Sequence, residues 1–217
     1  TSIYIFAFLL LAGPATVMAQ DSLSVAPAAI EAATPAPAEA VVEEVAAVLD
    51  SGNPAWILVA TILVMLMTIP GLALFYGGLV RQKNILSIIM QCLLCVGLIS
   101  ILWVSFVYSW VFGTSLMESG SAWGAIIGGS DKLFFNGMTL DTLTVGNIPE
   151  ILFALFQCMF AVITPALIIG AFAERIKFSG FLVFTVLWAI LVYNPMAHWV
   201  WGGGWMQKMG AIDFAGG

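Results

Sequence analysis

Cys92 and Cys95 stand three positions apart, the spacing of a redox pair or of half a zinc site. Neither chemistry has its remaining parts. No second ligand pair is present, and Cys92-Leu93-Leu94-Cys95 lies inside an unbroken apolar run, so packing is the reading to prefer. Cys158 is set in another apolar run, and three such cysteines define no disulfide framework. The single histidine, His198, belongs to no Ser/His/Asp set that the sequence could place together, and Asp and Glu fall outside the apolar runs. Nucleophilic and metal catalysis therefore lack their members, and neither a cofactor nor a metal is expected. The glycine-rich stretches lack the Lys and following Ser or Thr of a phosphate-cradling loop. What remains is aromatic. Trp56, Trp110, Trp123, Trp199, Trp201 and Trp205 fall near the ends of apolar runs, where an indole buries its ring and leaves its N–H among headgroups or water. The same faces can attract a cation, at about 0.5–2 kcal/mol each.

The elements that would hold these residues follow from composition. Of 217 residues, 62% are hydrophobic and 8% are charged. A soluble domain carries about a quarter charged residues, so the lipid bilayer is the solvent implied for most of the chain. The net charge of −6 has no basic patch beside it, which excludes nucleic acid as a partner. Residues 54–80, 84–117, 151–173 and 178–207 form four runs at or beyond the ~20 residues that a helix needs to cross a bilayer. Strict alternation is missing and the runs are too long for strands, so an all-α membrane protein is expected. Glycine and polar residues after Phe112 and after Trp201 should trim the helix ends, and Pro70-Gly71 should kink the first run.

Before these runs, the apolar stretch of residues 3–13 and the small residues around Val17-Met18-Ala19 read as a signal peptide, residues 1–19, cleaved after Ala19. Residues 20–53 read as a disordered acidic leader rich in Ala and Pro. Arg81, Lys83, Arg175 and Lys177 lie between runs one and two and between runs three and four, whereas Lys132 and Lys208 fall at the other ends. The positive-inside rule then places the N-terminus outside the cytoplasmic membrane, in agreement with an export signal.

Thr68-Ile69-Pro70-Gly71-Leu72-Ala73-Leu74-Phe75-Tyr76-Gly77-Gly78-Leu79-Val80-Arg81, followed by Lys83-Asn84, resembles the first-helix signature of the ammonium transporter family, which includes the Amt, Mep and Rh proteins. Three further blocks are similar to that family in the same order: Gly170-Ala171-Phe172-Ala173-Glu174-Arg175, Ala197-His198-Trp199-Val200-Trp201-Gly202-Gly203-Gly204, and Asp213-Phe214-Ala215-Gly216-Gly217. The resemblance covers residues 54–217 and not the leader. It implies four transmembrane helices and the start of a fifth, taken from an eleven-helix subunit of inverted repeats that assembles as a homotrimer with one pore per subunit. A PII-type signalling protein is a candidate partner of the complete subunit. The family's two pore histidines lie beyond Gly217, so residues 54–217 alone are expected to conduct nothing.

The resemblance also implies an entrance. Trp201 matches the tryptophan of the family's outer recruitment site, and Phe160 matches the phenylalanine that flanks this site and gates the pore below it. Phe156, one helical turn before Phe160, can share its face. Asp213 is expected to support the entrance by accepting backbone N–H bonds where a helix begins, and not to bind the ion itself. His198 falls at a different, outer-end position and is expected to be a satisfied interface residue. The implied function is nitrogen uptake by ammonium transport: capture of ammonium outside, loss of a proton near the gate, passage of ammonia, and reuptake of a proton inside. The alternative is an ammonium sensor of the same family. Charge placement predicts that a thiol introduced as Arg81→Cys resists an impermeant reagent applied to intact cells, while Ser121→Cys reacts. Strong labelling at position 81 from outside reverses the topology.

Overall fold

A computed structural model describes residues 51–144 and 146–214. The expected signal peptide and most of the expected leader, residues 1–50, lie outside the described residues, as do residues 215–217. Among the described residues, four helices are long and apolar enough to cross a membrane: α1 (Gly52–Leu79), α2 (Gln82–Glu118), α3 (Glu150–Phe172) and α4 (Phe178–Lys208). The 2.3–2.6 hydropathy of the first three reflects near-continuous Leu, Ile, Val and Phe. Helix is forced on such segments because hydrocarbon offers no partner for an exposed peptide group.

Both trimmed ends fall where glycine allows them. Within α2 the continuous helix stops at Phe112, before Gly113, and only the short turn Ser115–Glu118 follows; within α4 it stops at Trp201, before Gly202, and only the short turn Trp205–Lys208 follows. The kink expected in α1 is a local break: Ile69, the residue before Pro70, is extended at φ −131° and ψ 113°, inside a wide helical turn over Met67–Leu72. Wide turns also occur at Trp103–Val107 in α2 and Ala189–Tyr193 in α4. The connection between α2 and α3 carries a two-residue antiparallel ladder, Leu143–Thr144 with Ile148–Pro149.

Helix α3 is the central element, packed against α1 and α2 along much of its length. Two buried clusters result. One holds Trp103, Tyr108, Val111, Cys158 and Tyr193, and the other holds Ala73, Ile88, Cys92, Cys95, Ile169 and Phe181. All three cysteines are free and buried, as packing residues.

The first two sequence blocks prove to be two sides of one contact. The Tyr76 hydroxyl donates to the Leu167 carbonyl at 2.7 Å, and its ring lies so close to Gly170 that an added Cβ would sit 2.5 Å from it. One turn further on, the Glu174 carboxylate accepts from the Arg81 backbone N–H at 2.9 Å, the Asn84 amide at 2.7 Å and the Arg81 guanidinium at 3.1–3.3 Å. Glu174 holds a left-handed backbone, φ 65°, in the turn between α3 and α4. The α1–α2 and α3–α4 turns are thereby clamped at the basic end of the bundle.

The Arg81 side chain, then the Asn84 amide and the Arg81 N–H, pull the Glu174 carboxyl down from 4.5 to about 2. A depressed carboxylate stabilises above its unfolded value and loses that contribution as pH falls through its folded value. The clamp is therefore fully present above about pH 4.5 and weakens toward pH 2. Glu174→Gln and Arg81→Ala are each expected to lower the thermal midpoint in detergent, with the double variant no worse than the more damaging single one. Between pH 5 and 9 the loss should stay constant; strictly additive losses would show that the two residues act apart.

Candidate functional site

The opposite end of the bundle is built from chain that has left the helix. After Phe112, the Asp131 carboxylate accepts the N–H groups of Thr114 and Ser115 at 3.3 and 3.2 Å. Burial opposes its charge, but hydrogen bonds from the Ser115 hydroxyl and from backbone N–H groups outweigh this and hold it below the usual carboxylate range. Glu150, at the start of α3, pairs with the ammonium of Lys132 and accepts from the Tyr108 hydroxyl at 2.9 Å. An aromatic chain runs from there: Tyr108 packs tilted on Phe112 and edge to face on Phe135, and Phe112 packs edge to face on Phe153 at 5.1 Å between centroids.

Phe112 and Phe153 form one wall of a cavity of about 570 Å³. Gln157, one turn beyond Phe153 on α3, extends that wall; Val200 and Trp201 of α4 face it, and Gln207 with residues 210–213 closes the side. The Trp201 indole N–H donates to the Asp213 carboxylate at 2.8 Å, so the ring, which also packs against the buried cluster, is tied at its polar edge beside the cavity. The third and fourth sequence blocks thus meet here, as the first two meet at the basic end.

Of the sequence-predicted site residues, Trp201 and Asp213 line this cavity. Asp213 meets the indole N–H of Trp201, a partner that the helix-start argument did not foresee. Phe156 and Phe160 pack edge to face with centroids 5.1 Å apart and stand outside the lining. Phe160 is three residues further into α3 than Gln157, hence deeper in the bundle. Phe112, Phe153 and Gln157 were missed. Their signal was weak, because a Phe in a membrane helix is ordinary and Gln157 lies seven residues from either polar neighbour, Glu150 or Thr164, in α3. His198 is completely buried, and its ring nitrogens lie 2.7 Å from the Val111 carbonyl oxygen and 3.1 Å from that of Gly124. Among the described residues no group of three or more His, Cys, Asp or Glu could hold a metal ion.

Four apolar helices of membrane-spanning length, with two clamped turns at one end and a cavity at the other, describe a multi-pass membrane protein. Residues 55–217 match the model of the Ammonium Transporter Family, and the chain belongs to that family. It is 47% identical over 170 residues to an ammonium transporter of Bacillus subtilis, covering 78% of this chain and 40% of that protein. With an ammonium transporter of Aquifex aeolicus the identity is 44%, covering 78% and 38%. Among solved structures, Mep2 of Candida albicans superposes with a TM-score of 0.65 at 36% identity, over 77% of this chain and 35% of that one. A sensor Amt protein superposes with a TM-score of 0.65 at 29% identity, over 76% and 39%. The chain therefore spans about two fifths of the length of the curated relatives it matches, and these relatives are transporters, not enzymes.

Close approach at the cavity end rests on glycine. A Cβ on Gly202 would fall 1.9 Å from the Val111 carbonyl oxygen, whereas one on Gly78 would meet nothing within 4 Å. Gly202→Ala is expected to destabilise the protein by about 1–3 kcal/mol, the range for overpacking a well-filled site. Gly78→Ala, in an exposed helical position, should be neutral or slightly stabilising. Thermal unfolding in detergent ranks the two; equal midpoints would mean that the Gly202 contact is relaxed at no cost.

Proposed function

We propose that this chain forms the ammonium-recruiting end of an ammonium transporter, with its cavity open to the outside of the cytoplasmic membrane. The observation that carries this reading is the tethered indole of Trp201. Its N–H is engaged by Asp213 at 2.8 Å, which fixes the plane of the ring beside a 570 Å³ cavity without using its π-faces. Ammonium entering a low-dielectric space loses its water and needs something in exchange. A fixed indole face supplies electrostatic attraction of about 0.5–2 kcal/mol, and the Gln157 amide supplies a neutral acceptor. Asp213 holds the ring and adds negative potential near the mouth.

Phe156 and Phe160 take the next position along the path. Their rings, packed edge to face, form an apolar constriction that a solvated cation does not cross, and Phe160, the deeper of the two, acts as the gate. In the complete subunit this entrance serves one pore of a homotrimer, and the four basic residues of the clamped turns face the cytoplasm, within reach of a PII-type partner.

In the whole protein, Trp201→Leu is expected to raise the half-saturating ammonium concentration about two- to thirtyfold, the equivalent of 0.5–2 kcal/mol, at unchanged membrane abundance. Trp110→Leu, which removes an aromatic residue that packs on Phe106, should leave it unchanged. Phe160→Ala should alter turnover and discrimination more than half-saturation. The reading fails if Trp201→Leu and Trp110→Leu give the same concentration dependence as the parent.

A further inference from the structure

His198 joins three pieces of chain that set the shape of the cavity. It lies three residues before Trp201, in the last turn of the helical segment Asn194–Trp201 of α4, and is completely buried. Its Nδ1 is 2.7 Å from the carbonyl oxygen of Val111, at the end of α2 and next to the cavity residue Phe112. Its Nε2 is 3.1 Å from the carbonyl oxygen of Gly124, in the connection between α2 and α3. Both partners are carbonyl oxygens, so a neutral ring donates to one of them only, and the shorter contact is the one at Nδ1. The His198 backbone carbonyl accepts the N–H groups of Gly202 and Gly204, both at 3.0 Å, and so folds the glycine turn that follows Trp201.

Gly202 lies directly on the side-chain bond. A Cβ there would be 2.7 Å from His198 Nδ1 as well as 1.9 Å from the Val111 oxygen. The Nδ1 bond therefore determines how closely the backbone at positions 201 and 202 approaches α2. The Trp201 ring is then fixed at both ends, its backbone through His198 and its indole N–H through Asp213. No atom of His198 lines the cavity.

We propose that His198 is a positioning residue for the ammonium entrance: through its Nδ1–Val111 hydrogen bond it sets the distance between the Trp201 face and the Phe112–Phe153 wall. This rests on the reading of Trp201 as the recruiting face. A histidine that only fills space would affect stability and leave concentration dependence alone. The amide nitrogen of Asn overlays Nδ1 of His, and that of Gln overlays Nε2, so the two variants separate the two contacts.

The test measures methylammonium uptake by the whole protein, at equal membrane abundance, in cells lacking other ammonium uptake. His198→Ala and His198→Gln are expected to raise half-saturation about threefold or more, with the saturated rate within about twofold of the parent. His198→Asn should restore half-saturation to within about twofold. In a Trp201→Leu background, His198→Gln should add little, because both changes disable one face. Where His198→Ala does not accumulate, the Gln and Asn variants decide alone. Unchanged half-saturation in His198→Gln, an Asn variant as impaired as Gln, or effects that multiply with Trp201→Leu would each overturn the proposal. Failure of Trp201→Leu itself to shift half-saturation defeats the entrance reading and this inference together. A shift in Trp201→Leu with none in His198→Gln defeats this inference alone.

Discussion

A peptide group in hydrocarbon must find its partner within the protein, and most of this architecture follows from that constraint. Along the four spans the helix ladder meets it. Wherever the chain leaves the helix, another group must take over, and the residues that do so are the few polar ones in an apolar sequence. Glu174 takes the Arg81 N–H at one end; Asp131 takes the N–H groups of Thr114 and Ser115 at the other. The His198 ring meets two carbonyl oxygens, and its own carbonyl meets two N–H groups. Polar residues here are placed by backbone demand before they are placed by function.

The two ends meet this demand with different chemistry. At the basic end, a carboxylate and a guanidinium at 3.1 Å clamp two short turns in a solvent-accessible setting, so their value lies in geometry more than in energy. The cavity end combines the Asp131 carboxylate and the Glu150–Lys132 pair with neutral groups. Carbonyls, an imidazole and close-packed glycines shape the wall, and the carboxylate of Asp213 is turned toward an indole N–H.

Small residues connect these ends to the packed middle. Gly170 lets the Tyr76 ring lie against α3, and Gly202 lets α4 approach α2 at a carbonyl. In hydrocarbon, apolar surface gains little by pairing with another apolar surface, so helix association leans on close van der Waals contact and on polar bonds between helices. Tyr76 to Leu167 and Trp103 to Ala154, both side-chain donors meeting backbone carbonyls across helices, supply the second kind.

The sequence by itself determined the class, the four spans and the ends at which they stop, because hydropathy and glycine placement act locally and the bilayer fixes the length. It also gave the order of the four blocks, and through them the family resemblance that the match over residues 55–217 bears out. Only the tertiary structure decided which blocks touch. Tyr76 and Gly170 are 94 positions apart, and His198 and Val111 87 apart, in a chain where nothing local links them. Phe153 and Gln157 were equally hidden, since periodicity tells which residues share a helix face but not which face meets a cavity. The partners of His198 were hidden for the same reason: a lone histidine near a helix end does not reveal which carbonyl groups of a neighbouring helix and loop it meets. Contacts across the bundle depend on how the helices rotate and cross, and that is set by the sum of their packing, not by any one segment.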